Sequence, residues 1–401
     1  MLSQPFTRRV VIAVAALLTP GLAAAQTATT DSGLSPRQVM IRLTSAASAG
    51  SGASNIGEVI SDLVGLEVST APIGSSAGGF TFTFDPATRS FTRLAPSFGP
   101  MFGERAITAG EGRAGFGINF IRATYDTIDG TSIGDGSLQT VALRGGPSAT
   151  TGTAQLNITT ETMVLFANLA LNRWFDASVA VPMVNLHIDG THVIADELAQ
   201  GSASASGLGD IALRGKIRLY ERDQGGVALG VDLRLPTGDP EAMLGAGVTR
   251  TLVSGIWSTT FGALAPHASF GVEYWSDPFR VFDPLLQAPV EAGRHGTVYQ
   301  AGVEWAATDR LTVNGEIMGR TIRNGGRLTY RSVPMGGNPF GLTSASVASV
   351  DPAGLRRVSA SGGIKWNVAG TVLVTANLLM PITDAGLVDQ LTPIIGLDWG
   401  F

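Results

Sequence analysis

Four stretches of the chain carry residue types that could do chemistry. His267 and Ser269 stand two apart and Glu273 follows at the same parity, so a strand would set an imidazole, a hydroxyl and a carboxylate on one face. Such a set could activate the serine against an ester, as in an acyl hydrolase. Gly110-Glu-Gly-Arg-Ala-Gly115 spells the dinucleotide fingerprint, but that site needs a loop that follows a strand and opens a helix. Gly209 and Gly215-Lys216 suggest a phosphate loop, yet five residues intervene where four are needed, and Ile217 replaces the required Ser or Thr. His187, Asp189, His192, Asp196 and Glu197 could ligate a divalent cation, or form an ordinary solvated acidic loop.

The elements that must position these residues read as strands. In residues 208–220 one register holds Ile211, Leu213, Gly215, Ile217 and Leu219, and the other Asp210, Ala212, Arg214, Lys216, Arg218 and Tyr220. A turn at 221–226 follows, then Val227, Leu229, Val231 and Leu233 alternating with Ala228, Gly230, Asp232 and Arg234. Both are period-two patterns, and together they predict a hairpin. Similar alternation runs through 298–305, where Trp305 suits a membrane interface. It recurs at 310–322, with Asn314, Glu316 and Arg320 on one side, and again at 357–366 and 372–380. Residues 113–126 open the same way, and 251–261 is blurred by Ser254 and Ser258.

The two ends say where such strands would sit. Arg8 and Arg9, an apolar stretch at 10–18 and Ala23-Ala-Ala25 form a secretory signal, so residues 1–25 are expected to be removed. Beyond it no run of 18 apolar residues occurs, which excludes inner-membrane helices, yet the chain is 44% hydrophobic with a mean hydropathy of +0.23. A barrel that is apolar at every second residue reconciles the two. A cation facing lipid at mid-bilayer costs about 2–4 kcal/mol, so the register with Arg214, Lys216 and Arg218 must face a lumen. There are 52 Gly and no Cys, hence no disulfides or thiol chemistry, and the formal charge of −5 leaves no basic footprint for nucleic acid. At the far end Leu397, Trp399 and Phe401 share one face and Gly396, Asp398 and Gly400 the other. A strand closing on an outward aromatic resembles the carboxy-terminal signal of bacterial outer-membrane barrels.

Short connections near 172–174, 221–226, 262–266, 306–310 and 367–370 alternate with long ones at 127–154, 190–207, 237–249, 276–296, 323–354 and 382–390. This matches periplasmic turns and extracellular loops. The expected fold is all-β: a transmembrane antiparallel up-and-down barrel of about twelve strands over 111–401. Fourteen is the alternative, if 79–85 and its neighbour join the wall. Residues 26–110 break the rhythm and read as a periplasmic or lumenal extension, either a plug or a flexible tail with a rim hairpin. In it Ser35-Pro36 starts a helix, and Ile56, Val59, Ile60 and Leu63 recur at helical spacing.

Phe98-Gly-Pro-Met-Phe-Gly-Glu-Arg-Ala106, Tyr125-Asp-Thr-Ile-Asp-Gly130, residues 207–219 and Leu235-Pro-Thr-Gly-Asp239 resemble an outer-membrane family labelled as transporters or meta-pathway phenol-degradation proteins. That family is distantly similar to the fatty-acid and aromatic-hydrocarbon channels. The resemblance covers roughly 75–401 and implies the barrel fold and uptake of small hydrophobic molecules. It carries over no catalytic residue.

With that frame the chemistry sorts itself. Gly110–Gly115 opens a strand in an exported chain and is not a nucleotide site. His267, Ser269 and Glu273 oppose Ala268, Phe270, Val272 and Tyr274, so they face the lumen and read as polar wall; an acyl hydrolase using His267 and Ser269 is the alternative function. Asp210, Arg214, Lys216, Arg218, Asp232, Arg234, Asn314, Glu316 and Arg320 are expected to line the lumen, as structural braces or along a permeation path. Asp210 and Asp232 are the expected partners of the strand's three cations. Phe279, Phe282, Leu285 and Leu286 give the 276–295 loop an apolar load suited to a greasy entrance. No cofactor or metal is expected. The expected partners are outer-membrane lipid and lipopolysaccharide, the barrel-insertion machinery and a small-molecule solute, and the expected location is the outer membrane of a Gram-negative cell. A structural or surface-interaction barrel without flux is the remaining alternative. Leu397, Trp399 and Phe401 form the expected assembly signal, so deleting Phe401 should leave the protein in the periplasm. Cell fractionation checks this, and a normal heat-modifiable barrel in the outer membrane would overturn it.

Overall fold

A computed structural model of the chain describes residues 27–30, 33–44, 56–72, 74–75, 82–85, 90–93, 95–110, 112–144, 148–194, 197–222, 225–278, 280–283, 288–291, 293–323, 327–334, 344–351 and 354–400. The signal segment, Phe279, Leu285, Leu286, Asp196 and Phe401 lie outside these residues, as does the side chain of Phe282.

Twelve antiparallel strands close into a ring. They are β1 (Ala114–Tyr125), β2 (Ser148–Ala170), β3 (Phe175–Ile194), β4 (Ala212–Arg222), β5 (Gly225–Arg234) and β6 (Arg250–Thr259). The ring continues with β7 (Leu264–Trp275), β8 (His295–Thr308), β9 (Leu311–Ile322), β10 (Leu355–Ala369), β11 (Val372–Pro381) and β12 (Thr392–Gly400). The seam is β12 on β1, from Ile394↔Ile121 to Gly400↔Gly115. Closure satisfies every ladder position without leaving an edge, which a chain in hydrocarbon requires. The fourteen-strand alternative does not form: among the described residues Phe82–Asp85 pairs only with Ser90–Arg93, outside the ring.

Alternation sorts the faces as the registers predict. Ile217, Leu229, Val253, Phe270, Ile317, Ile364 and Leu397 are exposed on the outside, while Lys216, Arg234, Glu273, Glu304, Glu316 and Lys365 are buried inside. Five of the six tryptophans, Trp174, Trp257, Trp305, Trp366 and Trp399, lie exposed near the end of the barrel that carries the short turns. This is the girdle expected at a membrane interface. The sixth, Trp275, is fully buried at the opposite, long-loop end.

Two stretches read as long loops turn out to hold strands. β2 has 23 residues and β3 has 20, about twice what a transmembrane strand needs (about 9–11 residues). Their excess stands beyond the apolar belt, where Glu197–Leu208 adds to β3 and Leu138–Arg144 to β2. The boundary is visible on the outer face: β2 changes from Glu161 to Met163, β3 from Asn185 to Met183, and β1 from Arg122 to Phe120. Arg122 and Glu161 pair there at 3.5 Å.

The extension forms two helices at the long-loop end. α1 (Pro36–Arg42) starts on a capping box in which the Ser35 hydroxyl accepts from the Gln38 amide and Gln38 answers from its side chain. α2 (Ile56–Thr70) buries Ile56, Val59, Ile60, Leu63 and Val64. These join Met40 of α1, Leu43 just after it, Trp275 at the end of β7, and Ile128, Leu156, Leu186, Met243 and Leu387 of the loops and overhang in one apolar core outside the belt. Residues 95–110 lie in the lumen and lead towards β1 at the short-turn end. No described helix is long and apolar enough to cross a membrane.

Candidate functional site

Residues 95–110, which contain the Phe98–Ala106 motif, lie across the lower lumen and bond to the wall at successive strands. The Phe98 amide donates to Thr312 Oγ1 at 3.0 Å, and Lys365 Nζ donates to the Pro100 carbonyl at 2.7 Å. Gly99 turns the chain with φ of +87°, a left-handed conformation that costs a glycine little. Past this turn the amides of Met101, Phe102 and Gly103 donate to the Glu316 carboxylate at 2.6, 3.1 and 2.9 Å. Arg105 donates through Nε to Glu304 at 3.0 Å and pairs with it again through Nη2. The Ala106 amide donates to Ser258 Oγ at 2.9 Å. A Cβ at Gly103 would come within 2.5 Å of His267 Nε2, so any side chain there requires the imidazole to shift.

The expected inner-wall residues are where the alternation puts them, with one correction. Arg214 pairs with Asp232 at 2.6 Å and approaches Glu104 at 3.7 Å. Lys216 reaches Glu104 at 3.3 Å and Asp176 at 3.6 Å. Arg218 lies near the short-turn end, bonded to Glu221 at 2.8 Å and to the Arg173 carbonyl. Asn314 and Glu316 are buried on β9, and Arg320 sits above them. Asp210 is not the partner of these cations. It accepts from the amides of Gly238 and Ala246 at 3.1 Å each and from the Ser69 hydroxyl, because the wall strand begins only at Ala212. Leu397 and Trp399 face outward.

The upper closure is the last turn of α2. Arg234 and Arg250 both donate to the Ser69 carbonyl, and Arg250 reaches the Ser69 hydroxyl at 2.8 Å. Cations at a helix C-terminus meet its unpaired carbonyls and the negative end of its dipole. Glu67 pairs with Arg357. Burial pushes the Glu67 carboxyl above its ordinary range, against the pull of Arg357 and Arg320.

Between the two closures lies a chamber of 210 Å³. Its roof is Leu66, Glu67 and Thr70, its floor Phe102 and Glu104. Leu252, Ile256, Met318 and Leu379 supply apolar wall, and Arg214, Asp232, Arg234, Glu273, Arg320 and Arg357 charged wall. A second apolar cluster, Ile121, Val164, Phe166 and Ile394 with Met101 and Phe102, lines the lumen beside it. Sequence reasoning did not single out Glu67, Glu104, Arg105 or Arg250 as site residues. The one signal for Glu104 and Arg105 was their place in the Phe98–Ala106 motif.

The other candidates are not assembled. His267 Nδ1 lies 3.5 Å from Glu304 and its ring abuts Gly103, whereas Ser269 faces the chamber. Glu273 is engaged by Arg250 at 3.4 Å and Arg320 at 3.5 Å. His187 is exposed and His192 is buried against Thr140 Oγ1 at 2.7 Å, since five residues of strand place them on opposite faces.

Two outcomes test this geometry. Glu316→Ala leaves three buried amides without an acceptor, at about 1–3 kcal/mol each if unreplaced. The expected result is a lower melting temperature and protease cleavage after Arg105 in the folded barrel; unchanged resistance would show that the carboxylate does not hold the segment. Because the folded pKa of Glu67 is raised, its stabilisation is complete below the ordinary carboxylate value and falls as pH rises through the raised one. Hydrogen exchange in α2 should therefore be slower at about pH 5 than at about pH 8 after intrinsic correction, with the difference removed by Glu67→Gln.

Among curated proteins none matches the chain. An outer-membrane channel from Pseudomonas putida F1 is 11% identical, with 74% of this chain and 98% of that one covered and a TM-score of 0.46. The toluene transporter TbuX of Ralstonia pickettii is 10% identical, with 73% and 90% covered and a TM-score of 0.36. The CymD monoaromatic hydrocarbon channel is 12% identical, with 73% and 89% covered and a TM-score of 0.35. Likenesses this low assign no substrate. A family profile matches residues 111–313, half of the chain and the greater part of the barrel. The chain belongs to the family described as "Putative MetA-pathway of phenol degradation".

Proposed function

We infer that this barrel is an outer-membrane channel for passive uptake of small hydrophobic or aromatic molecules. The observation that carries the reading is the chamber of 210 Å³ with an apolar side. A cavity of about 150 Å³ lined by aliphatic and aromatic side chains takes up benzene, so a single substituted ring fits this volume and a sugar chain does not. The family's description, which refers to phenol degradation, agrees with a solute of this kind.

In this reading the apolar residues hold the ring, and the charged wall keeps the two closures in place. Passage requires displacement of both α2 and residues 98–106, which suits slow, selective flux rather than an open pore. Export through a cleaved signal at residues 1–25 and insertion through Leu397, Trp399 and Phe401 belong to the same reading. So does first contact at the 276–295 loop.

The test is uptake in whole cells. A host lacking its own channel for aromatics, expressing the full chain, should take up labelled toluene faster than the same host without it, with no change for a small sugar. Equal toluene rates with a folded, heat-modifiable barrel would favour a structural barrel without transport.

A further inference from the structure

One lining cation stands apart from the rest. Arg214 bonds Asp232 and the Gly74 carbonyl, Arg234 bonds the Ser69 carbonyl, Arg357 bonds Glu67 and the Leu387 carbonyl, and Lys216 reaches Glu104. Arg320 donates no hydrogen bond among the described residues. Its Nε stands 3.5 Å from Glu273 without hydrogen-bond geometry, and its side chain is about four-fifths buried, at 21% exposure. A guanidinium carries five donors in a planar fork, and leaving them unmatched inside a protein is costly.

The positive charge of the group gives the sign of what would satisfy it. At the roof Arg250 and Arg320 share one carboxylate, Glu273, while Arg357 takes Glu67 and Arg234 takes Asp232. Glu273 faces Arg250 with Oε1 and the Arg320 Nε with Oε2, and the Arg320 guanidinium makes no hydrogen bond among the described residues. Its register neighbours are Arg357 on β10 and Val298 on β8. Two positions along β9 is Met318, which pairs with Gln300 and Ser359. The chamber therefore sets a guanidinium that makes no hydrogen bond among the described residues beside an apolar shelf of Val298, Met318 and Leu379, with Gln300 and Ser359 as neutral polar neighbours.

We propose that the chamber binds a small aromatic carboxylate, with the ring on the Met318–Leu379 shelf and the carboxylate on the Arg320 guanidinium. This rests on the channel reading and narrows its solute class. A planar carboxylate matches the fork in a two-bond pairing that an alcohol or a hydrocarbon cannot make. Arg357 adds a second positive charge on the adjacent strand. Of the acids facing the same point, Glu67 is held by Arg357, and Glu273, shared with Arg250, meets the Arg320 fork at Nε without hydrogen-bond geometry.

The experiment measures equilibrium binding of benzoate and benzyl alcohol to the purified full-length barrel in detergent. The wild type should favour benzoate. Arg320→Gln should lower the benzoate-to-benzyl alcohol affinity ratio at least about tenfold, the loss of a charge-assisted pair. Gln300→Glu, which keeps side-chain shape and adds an acid beside the fork, should lower the ratio comparably and serves if the first variant does not fold. Arg320→Lys should restore part of the preference. An unchanged ratio in folded Arg320→Gln or Gln300→Glu overturns the proposal, as does a wild type without preference for benzoate. Binding is read without flux, so this failure is distinct from that of the channel reading, which the toluene uptake experiment decides.

Discussion

Strand β12 pairs with β1 along the seam from Ile394↔Ile121 to Gly400↔Gly115. A backbone in hydrocarbon has no water to bond to, so an open sheet there would leave two unpaired edges at several kcal/mol per group. Closure removes them and creates an inside. Every other feature follows from having a sealed, narrow interior whose strands alternate one residue in and one out. The outward set becomes lipid-facing, with a tryptophan girdle at the short-turn end. The inward set includes arginines, lysines and carboxylates that the closed wall takes away from bulk water.

Those inward charges then need partners. Breaking a buried ion pair from one side costs about 3–5 kcal/mol, because the remaining charge is stranded. Some charges pair along the wall, such as Arg214 with Asp232. Others cannot, and the chain supplies what they lack. Glu316 takes three backbone amides from residues 101–103, Glu304 takes Arg105, and Lys365 takes the Pro100 carbonyl. Wall and threaded segment are thus one polar network. Either alone would carry unsatisfied groups.

The upper closure is held differently. α2 buries Ile56, Val59, Ile60, Leu63 and Val64 in the core at the loop end, each worth about 1.5–3 kcal/mol. The arginines at its last turn orient that turn over the chamber, but the apolar packing supplies the larger share of its stability. Between a roof fixed by packing and a floor fixed by hydrogen bonds, a space of 210 Å³ stays open.

Strand number, the alternation of short turns with long loops and the inward register of Arg214, Lys216, Asp232, Arg234, Asn314, Glu316 and Arg320 were legible in the sequence. The reason is that period-two patterning is local, and a membrane enforces it at each residue. The overhang was not legible, since the Ser-Ala repeat in Glu197–Leu208 has no apolar contrast to mark a strand. Nor was the true setting of Asp210, placed by its parity among the lumenal charges although regular strand geometry begins beyond it. The chamber, its closures and the setting of Arg320 arise from contacts between distant residues, such as Met101 with Glu316 across 215 positions and Ser69 with Arg250 across 181. Only ring closure brings those residues together, and no local pattern encodes it.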